Sequence, residues 1–242
     1  MRIAIAGGTG TAGSFVVQSL EAVGAEVRVL SRRSPTFPVD LRTGAGLSAA
    51  LEGCAVVVDA SNATRGARDT LVEGSRRLLA AERAAGVAHH VCLSIVGCDL
   101  VPMGYYKVKT EQEAVVVAGD VPWTIVRATQ FHELVASALR RLPFFPVPDL
   151  SLRTVAASEV GAAVAAFATS PARMGRVSVA GPEVSSLGDV VRTFKRVTGK
   201  RGPLVRVGLP GKIGRALRAG ALTTDAPDVA GKVGFEEWLR TR

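Results

Sequence analysis

The sequence predicts an α/β fold: a doubly wound parallel sheet, helices on both faces, and a small C-terminal portion built around it. Three observations predict this. Apolar, β-branched runs alternate with helical stretches from the N-terminus to about residue 127, the connections between them are short, and a glycine-rich turn leads from the first run into the first helix. A chain of 242 residues, 48% of them hydrophobic, is long enough for this architecture as one domain. Residues 1–130 then form the core and residues 131–242 the C-terminal portion.

In chain order, Arg2–Ala6 reads as a buried strand, Thr11–Val23 as a helix and Glu26–Leu30 as a second strand. Val39-Asp40-Leu41 suggests a short third strand, and Leu47–Leu51 a helix ending near Gly53. Ala55–Ala60 is a continuous apolar run, as a central parallel strand requires. Thr70–Ala85 is a helix closed by Gly86, Val91–Ile95 a strand, Tyr105–Ala118 a helix and Trp123–Arg127 a strand. Beyond this the alternation loosens. Phe131–Arg140 suits a helix and Leu142–Pro148, rich in Pro and Phe, a loop. Ser158–Ala168 reads as a helix with Ser158 as N-cap, Arg176–Ala180 as a strand and Leu187–Thr198 as a helix. Leu204–Val207 is a short extended piece, followed by one or two helices.

The net charge of +9 admits an anionic partner: nucleic acid, a membrane surface or a small anionic ligand. No block of five like charges occurs, and aromatics are only 5%, which argues against a nucleic-acid stacking platform. No stretch has transmembrane length, so neither nucleic acid nor membrane is expected as a partner. Cys54, Cys92 and Cys98 are odd in number and form no C-x-x-C pair, which argues against a disulfide and against zinc. With no signal peptide visible, a cytoplasmic location is expected.

The turn Gly7-Gly8-Thr9-Gly10-Thr11-Ala12-Gly13 follows the first strand directly, with its glycines spaced Gly7-x-x-Gly10-x-x-Gly13. Gly7 permits the sharp exit from the strand, Gly10 lets a pyrophosphate approach the backbone, and Gly13 lets the helix pack closely. The helix N-terminus offers free N–H groups to the phosphates. This is the Rossmann-type dinucleotide site in its proper strand–turn–helix context. After the second strand stands Ser31-Arg32-Arg33, with no acidic residue to accept the ribose 2′-hydroxyl. Guanidinium groups there suit a 2′-phosphate, so the expected cofactor is NADP(H). Asp40-Leu41 and Ala60-Ser61-Asn62 end strands on the same sheet edge and are candidates for adenine and ribose contacts.

Ser94 ends a strand, Tyr105 follows eleven residues later, and Lys109 lies one helical turn beyond Tyr105. A nearby ammonium would lower the Tyr105 pKa and fit it for proton transfer. Ser94 would hold the substrate oxygen, and Lys109 could also bind the nicotinamide ribose. The plainer alternative is a capping tyrosine beside a solvated lysine. His89-His90 reads as an edge or surface pair, since no further metal ligand is near. His132 suits substrate contact or a structural place equally, and Phe144-Phe145 suits a pocket entrance or a loop anchor.

Taken together, Gly7–Gly13, Ser31-Arg32-Arg33, Leu93–Gly97, Tyr105-x-x-x-Lys109 and Trp123–Phe131 resemble the short-chain dehydrogenase/reductase superfamily in its atypical NmrA-like branch. The resemblance covers residues 1–135 best. It implies that Ala128, Thr129, Gln130 and Phe131 line the nicotinamide end, and that residues 131–242 bind substrate. The expected activity is NADP(H)-dependent oxidation or reduction of a small carbonyl, quinone or alcohol. Many members of the branch lack a working tyrosine, so a non-catalytic NADP(H) sensor is the alternative. A nucleotide-sugar epimerase or dehydratase ranks lower, because it would need a larger C-terminal lobe.

Overall fold

The computed structural model describes all 242 residues. Its strands and helices in chain order are β1 (Arg2–Ala6), α1 (Gly13–Ala22), β2 (Glu26–Leu30), α2 (Leu47–Leu51), β3 (Val56–Asp59), α3 (Gly74–Ala85), β4 (His89–Ile95), α4 (Gly104–Val117) and β5 (Trp123–Ala128). There follow α5 (His132–Arg141), β6 (Phe145–Pro148), β7 (Ser151–Leu152), α6 (Ala157–Ala168), β8 (Gly175–Ala180), β9 (Ser185–Ser186), α7 (Leu187–Thr198), β10 (Leu204–Val207), α8 (Gly211–Arg218), β11 (Val229–Ala230) and α9 (Phe235–Arg240). A π-helical run, Arg68–Glu73, leads into α3.

Seven strands form one sheet in the order β2-β1-β3-β4-β5-β8-β11, every pair parallel. This is the doubly wound, Rossmann-type α/β architecture. Alternation along β1 serves both faces. Ile3 and Ile5 pack with Val16, Leu20, Val160 and Val164 of α1 and α6, while Ala4 and Ala6 pack with α2, α3 and α4. The chain leaves β1 for β2 on one side, then crosses to β3 on the other. That reversal opens a crevice at the carboxyl ends of β1 and β3.

Four expectations are corrected. Val39–Leu41 forms no strand of the sheet; Asp40 makes one isolated bridge, to Ala45, and Pro38 just before the segment bridges to Ser31. Asp40 instead caps a turn, its Oδ1 accepting the Arg42 N–H at 2.9 Å. Phe145–Pro148, expected as a loop, is a strand paired in parallel with β10. Ser158 lies inside α6, whose N-cap is Ala156. His89 and His90 are both buried, because β4 is a central strand. His89 Nε2 meets Thr124 Oγ1 at 2.9 Å, and His90 Nδ1 meets Glu82 at 2.9 Å. All three cysteines are buried and free. No helix is long and apolar enough to cross a membrane.

Candidate cofactor cleft

The glycine turn sits where β1 meets the crevice. Gly7 has φ +76°, and a Cβ there would lie 2.6 Å from the Ala60 carbonyl oxygen. A Cβ on Gly13 would lie 2.1 Å from the Gly7 carbonyl oxygen, so both positions require glycine. Gly10 N–H donates to the Gly7 carbonyl at 2.9 Å and closes the turn. Thr9, Gly10 and Thr11 are exposed, Ala12 is buried, and no side chain caps α1. The N–H groups of Ser14, Phe15 and Val16 are taken by the Gly10 and Ala12 carbonyls, while those of Thr11, Ala12 and Gly13 have no partner and are open to an anion.

A crevice of about 220 Å³ continues from this turn along the ends of β1 and β2. Ser31, Arg32, Asp40, Leu41 and Asn62 line it, as does Gly7. Arg33 does not. Two residues that sequence reasoning missed also line it, Arg42 and Arg65. Both follow directly on segments already singled out, Asp40-Leu41 and Ala60-Ser61-Asn62, and that proximity was the available signal. The guanidinium groups of Arg32, Arg42 and Arg65 are exposed and have no hydrogen-bonding or ion-pair partner in the protein.

Four buried oxygen atoms at strand ends also lack partners: Ser31 Oγ after β2, Ser61 Oγ after β3, and Thr129 Oγ1 and Gln130 Oε1 after β5. Buried polar atoms without partners are costly, and these follow the one sheet edge where a dinucleotide would lie. The residues present thus fit a nicotinamide dinucleotide. At the β5 end, Ala128 and Thr129 are buried, Gln130 Nε2 donates to the Leu222 carbonyl at 3.3 Å, and Phe131 bridges to Val155.

The three proposed catalytic side chains are not brought together. Tyr105 OH donates to Asn62 Oδ1 at 2.7 Å, tying α4 to the segment after β3. Burial, with Tyr106 adding to it, pushes the phenol up to about 12. The expectation that Lys109 lowers it is corrected. Lys109 is buried, and Nζ donates to the Leu93 carbonyl at 2.8 Å and to Gln112 Oε1. Gln112 Nε2 passes this on to Asp59 Oδ2 at 2.9 Å, where Ser75 Oγ also donates at 3.0 Å. Asp59 Oδ1 accepts the Ser61 N–H at 3.0 Å. One buried chain of bonds therefore runs from Lys109 to the Ala60–Asn62 turn.

Ser94 belongs to a different network, and its assignment to a substrate oxygen is corrected. Its Oγ donates to Glu113 Oε1 at 2.6 Å. Glu113 also accepts from Arg127 at 2.7 Å and Arg176 at 2.8 Å. Burial pushes the Glu113 carboxyl up, but these three donors outweigh it and hold it at about 2. A second hollow, about 480 Å³, lies apart from the crevice, among the segment after β4, α4 and Lys212 of α8. None of the expected site residues lines it. Its carboxylates are already matched, Asp99 to Arg127 and Glu111 to Arg68.

A model of an NAD(P)H-binding family matches residues 7–171. No curated protein matches the sequence. Among solved structures, the chain is similar to an NADPH-dependent quinone oxidoreductase of Escherichia coli complexed with NADPH. The TM-score is 0.84 and the identity 18%, with 99% of each chain covered. It is also similar to a short-chain dehydrogenase/reductase superfamily protein of Agrobacterium tumefaciens with bound NAD, at TM-score 0.78 and 19% identity, covering 100% of this chain and 95% of that one. A nucleoside-diphosphate-sugar epimerase of Staphylococcus aureus gives TM-score 0.78 at 13% identity, with 99% of this chain and 100% of that one covered.

Proposed function

We propose that this chain, which belongs to the NAD(P)H-binding family, is an NADP(H)-dependent oxidoreductase acting on a small carbonyl or quinone. The observation that carries the cofactor choice is the trio of partnerless guanidinium groups, Arg32, Arg42 and Arg65, over the crevice that continues from the glycine turn. A 2′-phosphate brings a near-dianion to that place, and unpaired guanidinium groups bind it with charge-assisted bonds. The quinone oxidoreductase similar in fold over 99% of the chain supports the substrate class.

In this reading, the turn Gly7–Gly13 and the open end of α1 hold the diphosphate. Ser31 and Ser61 offer their unpartnered hydroxyls to the adenosine half. Lys109, buried and tied to the Leu93 carbonyl and Gln112, steadies the Ala60–Asn62 turn through Asp59. Bound NADPH supplies the hydride. Tyr105, which keeps its proton throughout the neutral range, would give that proton to the substrate oxygen once the substrate replaces Asn62 as its acceptor. The hydrogen bond to Asn62 orients its hydroxyl. Ser94 has no part in this sequence, since its proton is engaged by Glu113.

The test is a pair of measurements. Titration of the purified chain should show NADPH binding at least tenfold tighter than NADH, and equal affinity would remove the 2′-phosphate argument. With a panel of quinones and carbonyls, NADPH oxidation should fall about a hundredfold or more in Tyr105→Phe, with KM little changed. Undiminished turnover would take Tyr105 out of the reaction. Tight NADPH binding with no turnover on any substrate would favour the sensor.

A further inference from the structure

We propose that Tyr105 has a second role: through Asn62 it pins the segment that carries Arg65, and so adds to the preference for NADPH over NADH. Tyr105 acts here as a positioning residue for Arg65. The inference rests on the reading of the crevice as an NADP(H) site.

The chain from Asn62 to Arg65 is almost unanchored. It lies between β3 and the π-helical run, outside any helix or strand. None of its backbone N–H or carbonyl groups has a partner in the fold, and neither do the side chains of Thr64 and Arg65. Firm points stand on either side. Before it, the Ser61 N–H donates to Asp59 Oδ1 at 3.0 Å. After it, the Thr70 N–H donates to the Gly66 carbonyl at 3.2 Å, and Arg68 pairs with Glu111 of α4 at 3.0 Å. Between these points a single hydrogen bond holds the chain, from Tyr105 OH to Asn62 Oδ1 at 2.7 Å.

The donor of that bond is itself fixed. Tyr105 is half-buried on α4, which is fastened to the sheet through Lys109, Gln112 and Glu113. Arg65, by contrast, has nothing else to hold it. Asp69, the nearest acidic residue in sequence, makes no ion pair with it. A loose guanidinium loses conformational freedom when it binds a phosphate, and that loss subtracts from affinity. A segment pinned beforehand loses less. NADH has no 2′-phosphate for Arg65 to meet, so the pin bears on NADPH alone. Any contact of Tyr105 with the nicotinamide is common to both dinucleotides and cancels in the ratio of their affinities.

Two measurements on the full chain test this. The first needs no cofactor: the rate at which trypsin cuts after Arg65, read by mass spectrometry. The cut should be about fivefold faster in Tyr105→Phe, as loss of one hydrogen bond frees the segment. Asn62→Ala, which removes the same bond from the exposed side, should speed it equally. Cuts after arginines elsewhere should keep their rates. An unchanged rate after Arg65, or a general acceleration, would overturn the proposal. The second measurement is calorimetric titration. Tyr105→Phe should weaken NADPH about fivefold and NADH less than twofold. In an Arg65→Ala background the same substitution should change NADPH affinity less than twofold, since nothing remains to be held. Equal weakening of both dinucleotides, or a loss that persists without Arg65, would overturn the proposal. A parent chain that binds NADPH and NADH alike would remove the cofactor reading and this proposal with it, even where the faster cut shows that the pin exists.

Discussion

The crevice beside β1 and β2 holds three guanidinium groups with nothing in the protein to bind, whereas the buried charged groups of α4 are matched within the fold. Glu113 there takes donors from Ser94, Arg127 and Arg176, and Lys109 is tied through Gln112 to Asp59. The two regions adjoin along one sheet edge and handle charge in opposite ways. Arg32, Arg42 and Arg65 stay solvated, so leaving them unpaired costs little, and they keep their donors for an incoming anion. Buried charges cannot be left so; desolvation obliges each to find a partner within the fold. A group's availability to a ligand is thus set by depth before it is set by chemistry. Substitutions in the deep layer should therefore act on stability, and those in the crevice on affinity.

The largest effect should come from Glu113→Ala. It leaves the half-buried Arg127, together with Arg176, facing a void where a carboxylate stood. Breaking such a pair costs about 3–5 kcal/mol. At roughly 2–4 °C per kcal/mol for a chain of this size, Tm should fall by about 10 °C. The pH dependence sharpens the assignment. Glu113 is held at about 2 against an ordinary 4.5, so its contribution is present above pH 4.5 and is lost as pH falls toward 2. The stability gap between parent and variant should narrow over that window. A gap constant from pH 6 to pH 3, measured by denaturant titration, would show that the carboxylate charge is not what holds this layer. NADPH affinity of the folded variant should stay within about threefold of the parent, since Glu113 is no part of the crevice.

A smaller effect, on affinity alone, is expected from the crevice. Arg42→Ala and Arg65→Ala should each weaken NADPH by about tenfold, roughly 1.4 kcal/mol, and leave NADH and Tm unchanged. If NADH weakens equally, the two arginines serve the diphosphate or adenine common to both dinucleotides. If Tm falls, they are not the free groups that their exposure indicates.

How much of this was legible in the sequence follows the same division by depth. The sheet, the glycine turn and most helices were readable because their signals are local: apolar runs, a turn chemistry and helix-closing glycines such as Gly86 and Gly199, both left-handed. β6 was not, since Phe-Pro-Val-Pro reads as a loop; the prolines fall where no ladder N–H is needed, and only the partner strand reveals it. The buried pairings were illegible for a related reason. Ser94 with Glu113, His90 with Glu82 and Lys109 with Asp59 by way of Gln112 depend on which helix covers which strand. The i to i+4 relation of Tyr105 and Lys109 was correct as helix geometry. It did not foretell that α4 would sink the lysine while turning the phenol to Asn62.

Arg32 and Arg33 give the sharpest and smallest case. Adjacent in sequence, they carry the same charge and an equal claim to the 2′-phosphate. The chain turns sharply after β2, the Ser34 N–H closing on the Ser31 carbonyl at 3.1 Å, and the two central side chains leave the turn in different directions. Arg32 lines the crevice and Arg33 does not. Arg32→Ala should therefore reduce the preference for NADPH over NADH about tenfold, and Arg33→Ala should change it less than twofold. The residual effect of Arg33 would be long-range attraction, which added salt should erase, whereas the Arg32 contact should persist because bound charge pairs are screened less. Equal losses from both substitutions at high salt would mean that the segment after β2 rearranges when the cofactor binds.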